Sequence, residues 1–318
     1  MHPDFLCIGF QKCGTTTMYD LLKQHKDIVL TQDVKEPMYY RVLGADKIGG
    51  SEWYEKRYFG HVEENDPRLK GEVNAGLAFT DCARKIGRDF PESTKLFFMM
   101  RNPVDRAYSA YKYFMALGFL PAFVMEDDRR HGHAAAFDRY CHYVLGNKKR
   151  RGQIMEKRLK YLVFSQGNYF DSIFEYMQYF PKKNMKFILF EDFVKDQKAT
   201  CQDLYKFLEI EDDPTVTYNL KSNEGVMKAS STLKGKIGIT DTGLHNLTYD
   251  ILGISHSMPR FYAGYKKVHE KLQNYCLEEE TDFSKMEPGT RALLQKYYAK
   301  QVRGVEKLME RDLSEVWY

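Results

Sequence analysis

Phe5-Leu6-Cys7-Ile8-Gly9-Phe10-Gln11-Lys12-Cys13-Gly14-Thr15-Thr16-Thr17-Met18-Tyr19-Asp20-Leu21-Leu22 is the stretch that sets the fold class. Phe5–Gly9 is a short apolar run ending in glycine, the look of a strand buried on both faces. Beyond Gly14, Met18, Leu21 and Leu22 recur at helical spacing. A strand, a glycine-bounded loop and a helix therefore follow one another directly. Such a junction turns free backbone N–H groups and the positive end of the helix dipole toward one point. Three threonine hydroxyls and Lys12 stand beside that point, so the loop reads as an anion cradle. It departs from the Walker A rule G-x-x-x-x-G-K-[ST], because Thr15 holds the lysine position and the lysine sits inside the loop. No Asp-ended strand obviously offers a second magnesium ligand. A nucleoside triphosphatase or P-loop nucleotide kinase is disfavoured on both counts, and a metal-free site is expected.

Working outward, the same unit recurs. Lys95–Met100 predicts a strand, followed by Arg101-Asn102-Pro103 and a helix over about Val104–Ala116. Pro103 suits the first helical turn, where its missing N–H costs nothing. Met185–Phe190 predicts another strand, preceded by a helix over about Tyr169–Tyr179 and followed by one over Cys201–Phe207. A long C-terminal helix is expected over about Pro288–Glu310. Alternating strands and helices imply an α/β single domain over 1–318, with a central parallel sheet flanked by helices. Ligands of such folds bind at the carboxyl ends of the strands. Gly9–Thr17 and Arg101–Ser109 both lie at such ends. Arg101 and Ser109 are eight residues apart, about two helical turns, and can face one phosphate; arginine offers it a fork of donors.

Composition narrows the classes. The chain has 318 residues, 43% of them hydrophobic, 29% charged and 14% aromatic, which argues against disorder. Its net charge of +4 comes from 48 basic and 44 acidic residues, too balanced for a nucleic-acid binder. No apolar run approaches the roughly 20 residues of a membrane span. Six cysteines are scattered without a CxxC pair, the pattern of free thiols in a reducing compartment. His131 and His133 lack further ligands nearby, so no metal site is read there. The basic run Lys148-Lys149-Arg150-Arg151, with Lys157, Arg158 and Lys160 beyond, reads as a solvated helix face, the alternative being a surface that attracts a polyanionic glycan.

Lys12-Cys13-Gly14-Thr15-Thr16 resembles the 5′-phosphosulfate loop of sulfotransferases that use 3′-phosphoadenosine 5′-phosphosulfate (PAPS). Lys95–Ser109 is similar to that family's 3′-phosphate strand and helix. Lys35-Glu36-Pro37-Met38-Tyr39-Tyr40, Trp53-Tyr54 and Arg101-Asn102-Pro103-Val104 bring the likeness closest to the carbohydrate branch, in particular the heparan sulfate glucosaminyl O-sulfotransferases. The resemblance implies a P-loop-like sulfotransferase fold, PAPS as donor, PAP as product, and a hydroxyl of a carbohydrate or glycoconjugate as acceptor. A lipid, sterol or phenolic acceptor is the alternative. It implies Lys12 as the cation at the leaving phosphate and Glu36 as general base, with Glu72 as a second candidate carboxylate. Nucleotide contacts would come from Gln11, Lys12, Cys13, Gly14, Thr15, Thr16, Thr17, Arg101 and Ser109. Lys234-Gly235-Lys236 looks like the loop that closes over the nucleotide. Tyr39, Trp53 and Glu72 would border the acceptor. One departure stands out: Val73 occupies the lysine position of the family's Glu-Lys-(Ser/Thr)-Pro segment. With no evident signal peptide, a cytoplasmic enzyme is expected, the alternative being the excised lumenal domain of a Golgi-anchored one.

Overall fold

Burial on both faces is what the first strand's sequence demands, and the structure supplies it. The computed structural model describes residues 2–41, 49–78, 80–116, 120–146, 160, 163–220, 226–229, 277–280 and 285–318. Strands β1 (Phe5–Cys7), β2 (Ile28–Leu30), β3 (Leu69–Val73), β4 (Lys95–Met100) and β5 (Met185–Leu189) form a parallel sheet in the order β2-β3-β1-β4-β5. Phe5, Leu6, Cys7 and Leu96 to Met100 are fully buried, as strands with helices on both faces must be.

The helices are α1 (Thr15–Leu22), α2 (Gly50–Phe59), α3 (Thr80–Asp89), α4 (Pro103–Ala116), α5 (Ala122–His131), α6 (His133–Gly146), α7 (Tyr169–Tyr176), α8 (Phe190–Lys195), α9 (Gln197–Leu208), α10 (Pro288–Met309) and α11 (Ser314–Trp317). The parallel α/β architecture expected from the sequence is the one observed. Strand β3 was not foreseen. Leu-Lys-Gly-Glu-Val carries neither an apolar run nor an alternation, yet it pairs with β1 on one side and β2 on the other. Gly71 is required there: a Cβ at that position would lie 2.0 Å from Cζ of Phe5, whose ring covers the glycine.

The chain divides into two compact units. The first, residues 1–102, 169–222 and 302–318, holds the whole parallel sheet. The second, residues 103–168 and 223–301, has α4, α5 and α6 around Tyr111, Phe137, Tyr140 and Phe164. Inside it, Asp128 accepts hydrogen bonds from the Tyr111 hydroxyl at 3.0 Å and lies 2.7 Å from Nδ1 of His133. Tyr298 donates to the carbonyl of Phe164 at 2.8 Å, and the buried Arg106 donates to that of Val163. Its short antiparallel pair joins β6 (Val226–Ala229) to β7 (Leu277–Glu280).

In the first unit the chain passes from β1 outward to β2 and back through β3, then crosses β1 to β4. The reversal falls between β1 and β4, the switch point at which open α/β sheets bind ligands.

Candidate active site

Three strand ends converge at that switch point. The ladder between β1 and β4 runs past the strand: Met99 donates to the Gly9 carbonyl and Phe10 to the Met99 carbonyl, both at 2.8 Å. Asn74, just beyond β3, donates to the carbonyl of Cys7 at 3.1 Å. The loop after Gly9 therefore starts two residues from Arg101 on one side and beside Asn74 on the other.

The loop's backbone explains its residues. Gly9 and Gly14 have φ of +95° and +86°, the left-handed region that glycine enters without penalty. Lys12 also has a positive φ, +66°, which costs a side-chain-bearing residue on the order of 1–2 kcal/mol and is a mark of functional loops. Gly14 is the N-cap of α1 and brings no side chain to cap it. The first helical bond runs from the Met18 N–H to the Gly14 carbonyl at 3.1 Å. The amides of Thr15, Thr16 and Thr17 precede it, so the helix itself does not use them. These orphan donors, the helix dipole and the half-buried Lys12 make a cradle whose chemistry suits a phosphate or sulfate group. Cys13 is buried, its sulfur 3.7 Å from Oη of Tyr169.

Glu36 reaches this cradle through its neighbour. Lys35 Nζ donates to Oγ1 of Thr16 at 2.9 Å and lies 3.5 Å from Oε1 of Glu36. Arg41 stands 3.9 Å from the other carboxylate oxygen. The Glu36 side chain keeps 35% exposure, open to an incoming molecule. Lys35 is a site residue that the sequence motif does not single out. A lysine directly before the candidate base was the available signal.

Glu72, by contrast, is 1% exposed. Its Oε2 accepts from the Tyr54 hydroxyl and its Oε1 from Nδ2 of Asn74 at 2.6 Å. Burial, and then the Glu72 charge, push the Tyr54 hydroxyl far above its ordinary pKa, so it stays a donor. Tyr39 is 1% exposed, donates to the Gly50 carbonyl at 2.7 Å, and stacks on Trp53 at 5.5 Å between ring centroids. It belongs to a packed aromatic cluster with Tyr40, Tyr54, Tyr58 and Phe90, and Trp53 is the ring of the group that keeps a partly exposed face.

Arg101 sits at the end of β4 on a pinned backbone. The Tyr169 hydroxyl donates to its carbonyl at 2.8 Å, and the next amide, Asn102 N–H, donates to Oε1 of Glu191 at 2.8 Å. The Asn102 side chain donates to the carbonyl of Trp317, whose indole N–H returns to Oε2 of Glu191 at 3.1 Å. The guanidinium lies 4.8 Å from the Phe190 ring centroid, a flat shelf that orients its fork. Tyr169, Glu191 and Trp317 escaped sequence reasoning because they are remote in the chain. Ser109 is half-buried on α4, in the second unit. Lys234, Gly235 and Lys236 lie outside the described residues, as does most of the basic run; Lys160 is described and exposed. Among the described residues no cluster of three metal-binding side chains occurs, and no helix is long and apolar enough to cross a membrane.

Comparison with known proteins identifies the family and the fold. A family model for the sulfotransferase domain matches residues 2–240. The bifunctional heparan sulfate N-deacetylase/N-sulfotransferase of Drosophila melanogaster is 22% identical, over 97% of this chain and 26% of that protein. The membrane-associated sulfotransferase kil1 of Dictyostelium discoideum is 29% identical over 35% of this chain and 23% of that protein. The chain spans about a quarter of the length of the curated relatives it matches. A crystal structure of a sulfotransferase from Alicyclobacillus acidocaldarius shares the fold, with a TM-score of 0.58 at 22% identity, covering 99% of this chain and 98% of that one.

Proposed function

The chain belongs to the sulfotransferase domain family, and from that premise we propose that it moves the sulfuryl group of PAPS to a hydroxyl of a carbohydrate or glycoconjugate. The observation that carries this reading is the 2.9 Å bond from Lys35 to Thr16, because it ties the segment of the candidate base to the helix end that would hold the donor's phosphosulfate.

In the proposed reaction, the amides of Thr15–Thr17 and the Lys12 ammonium hold the 5′-phosphosulfate. Arg101 holds the 3′-phosphate from its Phe190 shelf. The acceptor oxygen lies against Glu36, with the exposed face of Trp53 as one wall. Glu36 takes the acceptor's proton as the new oxygen–sulfur bond forms, and the sulfur–oxygen bond to the 5′-phosphate breaks in line with it. The electron pair of the broken bond goes to the phosphate oxygen, where Lys12 offsets the developing charge; PAP leaves with the pair. Lys35 adds a second positive charge at the same end of α1. Buried and fully bonded, Glu72 fits the reaction poorly as a proton acceptor, which favours Glu36 for that role.

A second acceptor chemistry has an observation of its own. Several of the matching relatives are named bifunctional heparan sulfate N-deacetylase/N-sulfotransferases, a name that puts the sulfuryl group on nitrogen. A glucosamine amine would meet Glu36 with the same proton to lose.

The test is mass-spectrometric detection of transfer from PAPS to hydroxyl-only and free-amine glucosamine oligosaccharides. Wild type is expected to add one sulfuryl group to one of the two. Lys12→Ala is expected to abolish transfer. Glu36→Gln should bind PAP as wild type does and lose about 100- to 10,000-fold in kcat. A near-normal rate in Glu36→Gln removes it as the base. PAP binding without transfer to either acceptor, or to lipid and phenol panels, makes the chain a binding module.

A further inference from the structure

Asn74 occupies a place that only a primary amide fills. Its Nδ2 lies 2.7 Å from the carbonyl oxygen of Pro37 and 2.6 Å from Oε1 of Glu72, while its Oδ1 accepts from the N–H of Gly76 at 2.9 Å. Both neighbours of the nitrogen are pure acceptors and the neighbour of the oxygen is a pure donor, so the amide's orientation is fixed by chemistry. Asn74 is 0% exposed, Glu72 1% and Tyr54 0%. Tyr54 closes the other end by donating to Glu72 Oε2. A continuous buried chain of bonds thus runs from α2 through β3 to the carbonyl of Pro37, the residue after Glu36. The far end of the same segment is held separately, where the buried Lys85 donates to the Tyr40 carbonyl at 3.2 Å.

We propose that Tyr54, Glu72 and Asn74 form a strut that sets the position of the Glu36 segment, with Glu72 and Asn74 acting as positioning residues and the Glu72 carboxylate taking no proton from the acceptor. The proposal rests on the reading of Glu36 as base. Its physical basis is an anchor: an amide with two donors locked onto two oxygens holds the Pro37–Met38 peptide, one residue beyond Glu36, and because the proline ring fixes its own φ, that anchor limits where the Glu36 backbone can sit. Displacing a reacting group by about 1 Å costs up to about 100-fold in rate. Val73 stands where the resemblance expects lysine and Asn74 where it expects serine or threonine. A hydroxyl has one hydrogen to donate and cannot hold both oxygens at once.

Four variants decide it: Asn74→Asp, Asn74→Ala, Glu72→Gln and Glu36→Gln. Each is measured for kcat and KM in the transfer assay, PAP affinity by calorimetry, and amide hydrogen exchange over residues 33–41. Asn74→Asp sets a carboxylate against the Glu72 carboxylate and the Pro37 carbonyl. It is expected to lower kcat about 10- to 100-fold, leave PAP affinity within about threefold, and speed exchange over 33–41. Asn74→Ala, without the repulsion, should give the same pattern more weakly, and it carries the test where Asn74→Asp fails to fold. Glu72→Gln keeps an oxygen toward Asn74 but turns an N–H donor against the Tyr54 hydroxyl, loosening that end of the strut, so kcat should fall about 10-fold with faster exchange over 33–41. Wild-type exchange and kcat in Asn74→Ala overturn the strut. So does a dead Glu72→Gln with normal exchange, which would put Glu72 at the reacting atoms. Active Glu36→Gln removes the base reading separately, while the exchange result for Asn74 still reports on the strut.

Discussion

Arg101 offers a test in which the ligand supplies half of the perturbation. On the proposed reading, its guanidinium holds the 3′-phosphate. Deleting Arg101 should therefore weaken PAP strongly but leave adenosine 5′-phosphate, which has no 3′-phosphate, nearly unchanged. The two deletions form a double-mutant cycle between protein and ligand. A hydrogen bond to a charged group is worth about 1.5–3 kcal/mol, and the arginine fork can make two to one phosphate. Half-exposure of Arg101 and non-additivity lower the sum, so a coupling of about 2–4 kcal/mol is expected, roughly 30- to 700-fold in PAP affinity. The backbone bonds from Tyr169 and Glu191 do not involve the Arg101 side chain, so Arg101→Ala leaves that frame in place. Arg101→Lys keeps the charge but loses the fork and the flat contact with Phe190 at 4.8 Å, and should fall between the two. The assay is isothermal titration calorimetry of wild type, Arg101→Ala and Arg101→Lys with each nucleotide at one fixed salt concentration. Equal losses for both nucleotides, a coupling under about 0.5 kcal/mol, would refute the assignment of the 3′-phosphate to this side chain.

Gly14→Ala tests the loop itself. The new Cβ would sit at φ +86° and 3.0 Å from Cδ2 of Phe190. Stability should fall by about 1–3 kcal/mol, a melting-temperature loss of a few degrees. PAP affinity should fall with it, since Phe190 is also the shelf of Arg101; an unchanged melting temperature and affinity would contradict the cradle geometry. Acid stability depends on Asp213. The Lys26 N–H and the Thr215 hydroxyl and N–H hold this carboxyl down at about 2, from 3.8. Because the folded value is depressed, its stabilisation is complete above pH 3.8 and is lost as pH falls toward about 2. Asp213→Asn should be less stable at neutral pH and should flatten that stretch of the acid-unfolding curve; the wild-type slope persisting in Asp213→Asn would exclude Asp213 as its source.

How much of this was legible in the residues varies by element. Strand β4 appears at the bounds that its apolar run marks, and α10 ends one residue short of the expected Glu310. Strand β1 ends at Cys7 and not at Gly9, although its hydrogen-bond ladder continues through Phe10. Strand β3 was hidden because Lys70, Gly71 and Glu72 carry no hydrophobic signal. Its place comes from backbone pairing to two neighbours, from the Phe5 ring that needs a glycine beneath it, and from the hydrogen bonds that make a buried glutamate tolerable.

The sequence by itself determined the parallel α/β class and the loop from Gly9 to Thr17, and set Lys12 and Arg101 at strand ends; Glu36 was marked by the family resemblance alone. These are local features: a strand's apolar run, a glycine's conformational freedom and a helix start are all written within a few neighbouring residues. Only the tertiary structure decided which carboxylate is buried and which is open. It also brought Lys35 onto Thr16, Asn74 onto Pro37, and Glu191 with Trp317 behind Arg101. Those contacts join residues between 19 and 126 positions apart. No local propensity encodes them; they follow from the order in which the strands stack and the ends that this order brings together.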